Sequence, residues 1–182
     1  MKITGIITSP IKTGSTAWVI NTILEGAKEK GAETQPWYLG DLDIKPCKSC
    51  YGCKKGNRGC IVNDDMQQLY GAVDQADTLI LGSPVYMWQM NAQAKLFTDR
   101  LFARFSHSDT EYAVKKNLVL VFTQGNPDAG MFKSYFDYTK DMFQFLGYNV
   151  KDLLVIAGTR NEPVQDRKAL NTAMKELGAS LV

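Results

Sequence analysis

Short apolar runs and amphipathic helical stretches alternate five times along the chain, and that rhythm leaves few architectures open. Lys2–Thr8, Thr34–Leu39, Thr78–Leu81, Leu118–Phe122 and Leu153–Ala157 have the length and β-branched or apolar character of buried strands. Helical spacing recurs in Ala17, Ile20, Ile23, Leu24 and Ala27, then in Met66, Leu69, Tyr70 and Val73. It returns in Asn91–Phe105, in the aromatic-rich Met131–Leu146, and in Ala169, Leu170, Ala173, Met174 and Leu177. Strand–helix alternation predicts a parallel sheet, and right-handed crossovers put helices on both of its faces. Pro36 marks the second run as an edge strand. Asn63 or Asp64 is expected to cap the second helix, and Gly82-Ser83-Pro84 to end the third strand.

Five strands fit the flavodoxin-like order 2-1-3-4-5 better than the six-stranded dinucleotide order, so the predicted fold is a doubly wound α/β domain of three αβα layers. The 182 residues are read as one domain, 1–182, with a cysteine-bearing insertion loop at 40–62. A net charge of +2 and the lack of any basic block give no reason to expect nucleic acid. No signal-like leader and no membrane-length apolar run are seen, so the expected location is the cytoplasm.

In this strand order the loops after the first, third and fourth strands open together at the switch point, where such sheets bind ligands. The first loop, Thr8–Thr16, carries the hydroxyls of Ser9, Thr13, Ser15 and Thr16 and the charge of Lys12 just before a helix start, where free N–H groups can hold an anion. An ordinary capped turn would look similar. The second loop, Pro84-Val85-Tyr86-Met87-Trp88, offers flat and polarizable side chains to a planar ring. The third, Thr123-Gln124-Gly125-Asn126, offers polar backbone with a close approach at Gly125. A ligand with a phosphate at one end and a flat heteroaromatic ring at the other meets all three loops, and FMN is such a ligand.

Competing chemistries lack their residues. Gly14-Ser15-Thr16 has no Lys of a Walker loop, and neither a Gly-x-Gly-x-x-Gly nor a Gly-x-Ser-x-Gly motif occurs. The one histidine, His107, sits between two serines and reads as a solvated loop residue.

All four cysteines, Cys47, Cys50, Cys53 and Cys60, fall in the 40–62 loop. In a reducing compartment such clustering favours metal or redox chemistry over disulfides. The compact Cys-x2-Cys-x2-Cys-x6-Cys spacing suits a [4Fe–4S] cluster, with zinc second because zinc sites more often use separated knuckles. Thiols that carry nothing are the remaining reading.

These stretches together resemble the NADPH-dependent FMN reductase family, in its iron–sulfur flavoprotein and multimeric flavodoxin-like branch. The likeness rests on Ser9-Pro10 with Gly14-Ser15-Thr16, Asn63-Asp64-Asp65-Met66 after the cysteines, Gly82-Ser83-Pro84-Val85-Tyr86, and Ala92–Arg100 with Lys95, Asp99 and Arg100. The resemblance implies an FMN-dependent oxidoreductase. The phosphate would lie on Ser9, Gly14, Ser15 and Thr16, with Lys12 standing where the family often has Arg. The ring would lie against Pro84, Val85, Tyr86, Met87 and Trp88, with Thr123, Gln124 and Gly125 on its third side. It further implies NAD(P)H as co-substrate, a small acceptor or a ferredoxin-like protein as partner, and a homodimer or homotetramer. No side-chain acid or base is assigned, since hydride transfer needs none. The alternative is an iron–sulfur electron carrier reduced by ferredoxin, without nicotinamide activity.

Overall fold

The computed structural model describes residues 1–55, 59–105 and 116–182. His107, a loop histidine in the sequence reading, lies outside the described residues. The strands are β1 (Lys2–Ile7), β2 (Glu33–Tyr38), β3 (Thr78–Tyr86), β4 (Gln89–Met90), β5 (Asn117–Thr123) and β6 (Asn149–Ile156). The helices are α1 (Ser15–Glu29), α2 (Met66–Gln75), α3 (Ala92–Arg100), α4 (Lys133–Phe145) and α5 (Lys168–Ser180).

The sheet runs β2-β1-β3-β5-β6, and its neighbouring strands are parallel. Setting aside the two-residue β4, this is the expected 2-1-3-4-5 order. β4 is an addition: it folds back antiparallel on the end of β3, pairing Val85 with Met90 and Tyr86 with Gln89. Pro36 sits in β2 opposite Gly5 and at the sheet edge, where its missing N–H breaks no central ladder.

Side chains alternate along β1, and this splits the core in two. Ile3 and Ile7 join Ile20, Ile23 and Met174 under α1 and α5, while Ile6 joins Leu69, Tyr70, Phe97, Phe136 and Phe143 under α2, α3 and α4. α1 and α5 meet backbone to backbone, for a Cβ on Gly178 would lie 1.9 Å from the Ile23 carbonyl oxygen and one on Gly26 2.1 Å from that of Lys175.

Three boundaries differ from the sequence reading by four residues or more, and one is the start of the last strand, at Asn149 rather than Leu153. β3 continues through Gly82-Ser83-Pro84 to Tyr86. Gly82 is there for a close approach rather than a turn, since a Cβ on it would meet Ile20 Cδ1 at 2.3 Å and Thr16 Cγ2 at 3.0 Å. The first turn of α1 thereby lies directly over the end of β3. α3 stops at Arg100 and passes into a 3-10 turn, Leu101–Arg104.

Candidate cofactor-binding site

Thr8 leaves β1 fully buried, and its N–H donates to the Gly82 carbonyl at 3.0 Å. Ser9 is also buried. Its hydroxyl oxygen accepts the Ile11 N–H at 3.1 Å, which folds the loop into a tight turn. Gly14 then donates to the Ile11 carbonyl and precedes α1 in extended conformation, φ −79° and ψ 170°. No side chain caps α1 and no acidic residue lies in its first turn. Trp18 N–H reaches back to the Gly14 carbonyl at 3.0 Å, so the N–H groups of Ser15, Thr16 and Ala17 have no helical partner. An uncapped start with this polarity favours an anion.

Two first-loop candidates are engaged elsewhere. Lys12 Nζ lies 2.7 Å from Asp41 in the Leu39–Asp41 turn and stands 5.7 Å from the Tyr38 ring centre. The Thr16 hydroxyl is buried and 2.7 Å from that of Thr123, which ties the first loop to the third.

Pro84 is buried within β3 and Val85 is half-buried, whereas Tyr86, Met87 and Trp88 are exposed, Met87 to 86%. Met87 and Trp88 form the two-residue turn of the β3–β4 hairpin, with φ of 46° and 68°. Such a turn needs positive φ at both positions and ordinarily recruits Asn and Gly. A sulfur-bearing and an indole side chain are held out at a cost in backbone strain. The hairpin is braced from behind, since Tyr135 OH accepts the Met90 N–H at 3.0 Å and Phe132 meets Trp88 edge-on at 6.0 Å.

In the third loop Gln124 turns inward. Its side-chain nitrogen donates to the carbonyls of Asn126 and Asp128, at 3.2 and 2.7 Å. A Cβ on Gly125 would lie 2.8 Å from Cδ and Nε of Arg160, so the missing side chain makes room for an arginine.

Asn91 joins these loops and was read from the sequence as no more than a helix start. Its side-chain oxygen accepts the hydroxyl of Thr8 (2.8 Å), the hydroxyl of Ser83 (3.3 Å) and the Ala94 N–H (3.1 Å). Its amide nitrogen donates to the Thr8 carbonyl at 2.7 Å. An Asn ahead of a helical stretch is a readable N-cap, but its role as a tie between loops depends on tertiary structure.

The cysteine loop is clamped at its stems. Asp64 was a candidate cap for α2, and its carboxylate does accept the Met66 N–H at 3.2 Å. Its main partner is Arg100, joined through two nitrogens at 2.6 and 3.1 Å with both side chains buried. Asp64 also accepts the Lys45 N–H at 2.9 Å, while Arg100 donates to the Lys45 carbonyl at 2.8 Å. Burial alone would raise the Asp64 carboxyl pKa, but the Arg100 guanidinium and these N–H donors hold it below the ordinary carboxylate range. Farther along, Lys54 donates to the Phe102 carbonyl at 2.6 Å and lies over the Phe102 ring.

All four cysteines line one cavity of about 310 Å³, with Val62 and Phe102 also in its wall. Among the described residues no three acidic, histidine or cysteine side chains gather closely enough to hold a single metal ion. Ser49 and Tyr51, between the cysteines, adopt positive φ of 51° and 54°. Left-handed residues of this kind turn backbone N–H groups into concavities that suit anionic centres, Fe–S sites included. Burial pushes the Cys53 thiol above its ordinary pKa. α3 joins the two regions: Asn91 caps it among the ligand loops, and Asp99 near its other end lines the cysteine cavity, about 12 Å away by helix rise.

The sequence profile of the NADPH-dependent FMN reductase family matches residues 1–150. The chain belongs to that family. An iron–sulfur flavoprotein from Methanosarcina thermophila is 40% identical over 100 residues, 55% of this chain and 52% of that protein. The iron–sulfur flavoprotein MJ1083 of Methanocaldococcus jannaschii is 37% identical over 100 residues, with 55% and 51% covered. The chain thus spans about half the length of these relatives. Among solved structures, an NAD(P)H:quinone oxidoreductase from Methanothermobacter marburgensis superposes with a TM-score of 0.77 at 14% identity, covering 100% of this chain and 96% of that one. At that identity the likeness shows the shared fold.

Proposed function

We propose that this FMN reductase family member is an FMN-dependent oxidoreductase that moves electrons from NAD(P)H to a small-molecule or protein acceptor. The observation that carries the reading is the meeting, at the carboxyl ends of β1, β3 and β5, of an uncapped helix start with an exposed Met87–Trp88 turn. A phosphate fits the first and a planar ring the second, while Asn91 and the Thr16–Thr123 contact hold the loops at fixed spacing. Bound there, FMN would supply the one- and two-electron chemistry that no side chain offers. The chain's own part is to orient the cofactor. Ser15 and the N–H groups of Ser15, Thr16 and Ala17 would hold the phosphate, and Tyr86, Met87 and Trp88 would cover one face of the ring.

The names of the relatives support the same reading: iron–sulfur flavoproteins on one side, and a quinone oxidoreductase of the same fold on the other. Anaerobic purification followed by a visible spectrum tests it. A flavin spectrum that bleaches on adding NADPH or NADH is the expected result. A colourless protein that takes up no added FMN would overturn it.

The cysteine cavity, at the far end of α3, favours a second function: electron transfer through a [4Fe–4S] cluster, from or to a ferredoxin-like protein. Four thiols around one cavity, with left-handed Ser49 and Tyr51 between them, match the donor set and backbone of such a site. Zinc ranks second, because zinc sites more often use two separated Cys-x2-Cys knuckles than this compact spacing. Bleaching by reduced ferredoxin and not by nicotinamides would select the carrier. Exposed Met87, Trp88 and Met131 beside the site support a homodimer or homotetramer in which a second copy covers the ring.

A further inference from the structure

We propose that Arg160 is a phosphate-binding residue of this site, reaching across Gly125 to an anionic group held at the start of α1. The inference rests on the FMN reading above and names a residue that the motif and loop arguments never reached.

The placement is specific. Arg160 follows β6, whose carboxyl end opens on the same edge as those of β1, β3 and β5. Its side chain lies against Gly125, where a Cβ would come within 2.9 Å of Cγ and 2.8 Å of Cδ and Nε. Gly125 is two residues from Thr123, whose hydroxyl touches Thr16 in the first turn of α1. The base of Arg160 is fixed by its neighbours. Gly158 N–H donates to the Asn126 carbonyl at 2.8 Å and Thr159 N–H to the Gln124 carbonyl at 3.1 Å. The Arg167 guanidinium gathers the carbonyls of Ala157, Gly158 and Glu162, at 2.8, 2.8 and 2.7 Å.

The charges of this edge point the same way. Lys12 is held by Asp41, Lys133 is ion-paired with Asp137, and Arg167 is occupied by carbonyls and by Glu162. Arg160 is exposed, and among the described residues no hydrogen bond or ion pair engages it. A guanidinium on a fixed stem is a preorganised fork for phosphate, and its two parallel donors match two phosphate oxygens. Lys12, the cation that the sequence offered for this task, is paired with Asp41 just after β2, the strand at the sheet edge opposite β6.

The phosphate has two sources: the terminal phosphate of FMN, or a phosphate of a nicotinamide nucleotide docking beside it. Arg160→Met keeps an apolar stem over Gly125 and removes the charge, and Arg160→Lys keeps the charge without the fork. Apoprotein of each form is titrated with FMN and with riboflavin by quenching of flavin fluorescence, and the FMN-loaded forms are then reduced with NADPH and with NADH. If FMN is the source, Arg160→Met weakens FMN by roughly tenfold or more and leaves riboflavin unchanged, with Arg160→Lys in between. If the nucleotide is the source, FMN affinity holds and reduction by NADPH slows, with NADH slowed equally where the contact is the pyrophosphate and unaffected where it is the 2′-phosphate. Equal loss of FMN and riboflavin would mean that the side chain merely packs on Gly125, and would overturn the proposal. So would unchanged FMN affinity together with unchanged reduction by both nucleotides. Failure of the unsubstituted protein to bind FMN would take down the parent reading and this one with it.

Discussion

The Thr8 hydroxyl donates to the Asn91 side-chain oxygen at 2.8 Å, and the Asn91 amide nitrogen donates back to the Thr8 carbonyl at 2.7 Å. Both residues are buried, and they join the end of β1 to the start of α3. Through this exchange the first and second ligand loops share one rigid joint. Asn91→Ala removes a helix cap, normally about 1 kcal/mol, and also leaves the Thr8 and Ser83 groups without their partner, about 1–3 kcal/mol more. Urea unfolding of the apoprotein should therefore show a loss of about 2–4 kcal/mol. FMN affinity should fall as well, although Asn91 is assigned no contact with the cofactor.

Ser15 and Thr16 are neighbours with different tasks, and substitutions should separate them. Ser15 is half-buried at the uncapped helix start, whereas the Thr16 hydroxyl is closed off against Thr123. Ser15→Ala should weaken FMN by roughly tenfold or more, about the worth of one hydrogen bond to a charged group, and leave the melting temperature unchanged. Thr16→Val, which keeps the shape and removes the hydroxyl, should destabilise the apoprotein by about 1–2 kcal/mol. Flavin titration and thermal melts on the same two variants provide the check.

The buried Asp64–Arg100 pair makes the cysteine loop sensitive to acid. The Asp64 pKa is lowered by folding, so the unfolded chain takes up its proton first as pH falls. The stabilisation is fully present above the ordinary carboxylate value of about 3.9 and is lost as pH drops through the lower folded value. The difference in urea midpoint between the native protein and Asp64→Asn should be constant at neutral pH and shrink below about pH 4. Arg100→Ala leaves a buried carboxylate unpaired and should cost about 3–5 kcal/mol at pH 7.

The parallel sheet, its strand order and both helical layers were legible in the sequence, because β-branched runs and helical spacing are local signals. Ile3, Ile6 and Ile7 already announced a strand buried on both faces. The loops that meet were legible too, since strand order determines which carboxyl ends are neighbours. What escaped was side-chain commitment across long separations. Nothing local to Lys12 reveals that Asp41 holds it, and Thr16 and Thr123 are 107 positions apart. Gly125 was read as a close approach of backbone to a ligand, and its missing side chain also makes room for Arg160, 35 positions along the chain. Gly82 looked like a strand terminator and proved to be a contact surface for α1.

Cys53→Ser should abolish bound iron and acid-labile sulfide in anaerobically prepared protein while leaving FMN content intact. The cysteine cavity and the ligand loops are joined through α3 and lie at its opposite ends, so one ligand can be lost without the other. Loss of flavin together with iron would show that the cysteine loop supports the flavin site structurally. Absence of iron and sulfide from the unsubstituted protein would remove the cluster from the proposed function.

The Met87–Trp88 turn yields the sharpest contrast between stability and function. Both residues hold positive φ, which costs a side-chain-bearing residue roughly 1–2 kcal/mol each. Replacing the pair with Asn-Gly supplies the residues that a two-residue hairpin prefers and relieves that strain. The double variant should unfold at higher urea, by about 1–2 kcal/mol. The same change removes the exposed thioether and indole proposed to cover the flavin ring, so riboflavin and FMN should both bind several-fold more weakly. A gain in stability together with a loss of flavin affinity is the signature of strain kept for a binding surface. If affinity were unchanged, the turn would be an ordinary hairpin and the ring would have to lie elsewhere.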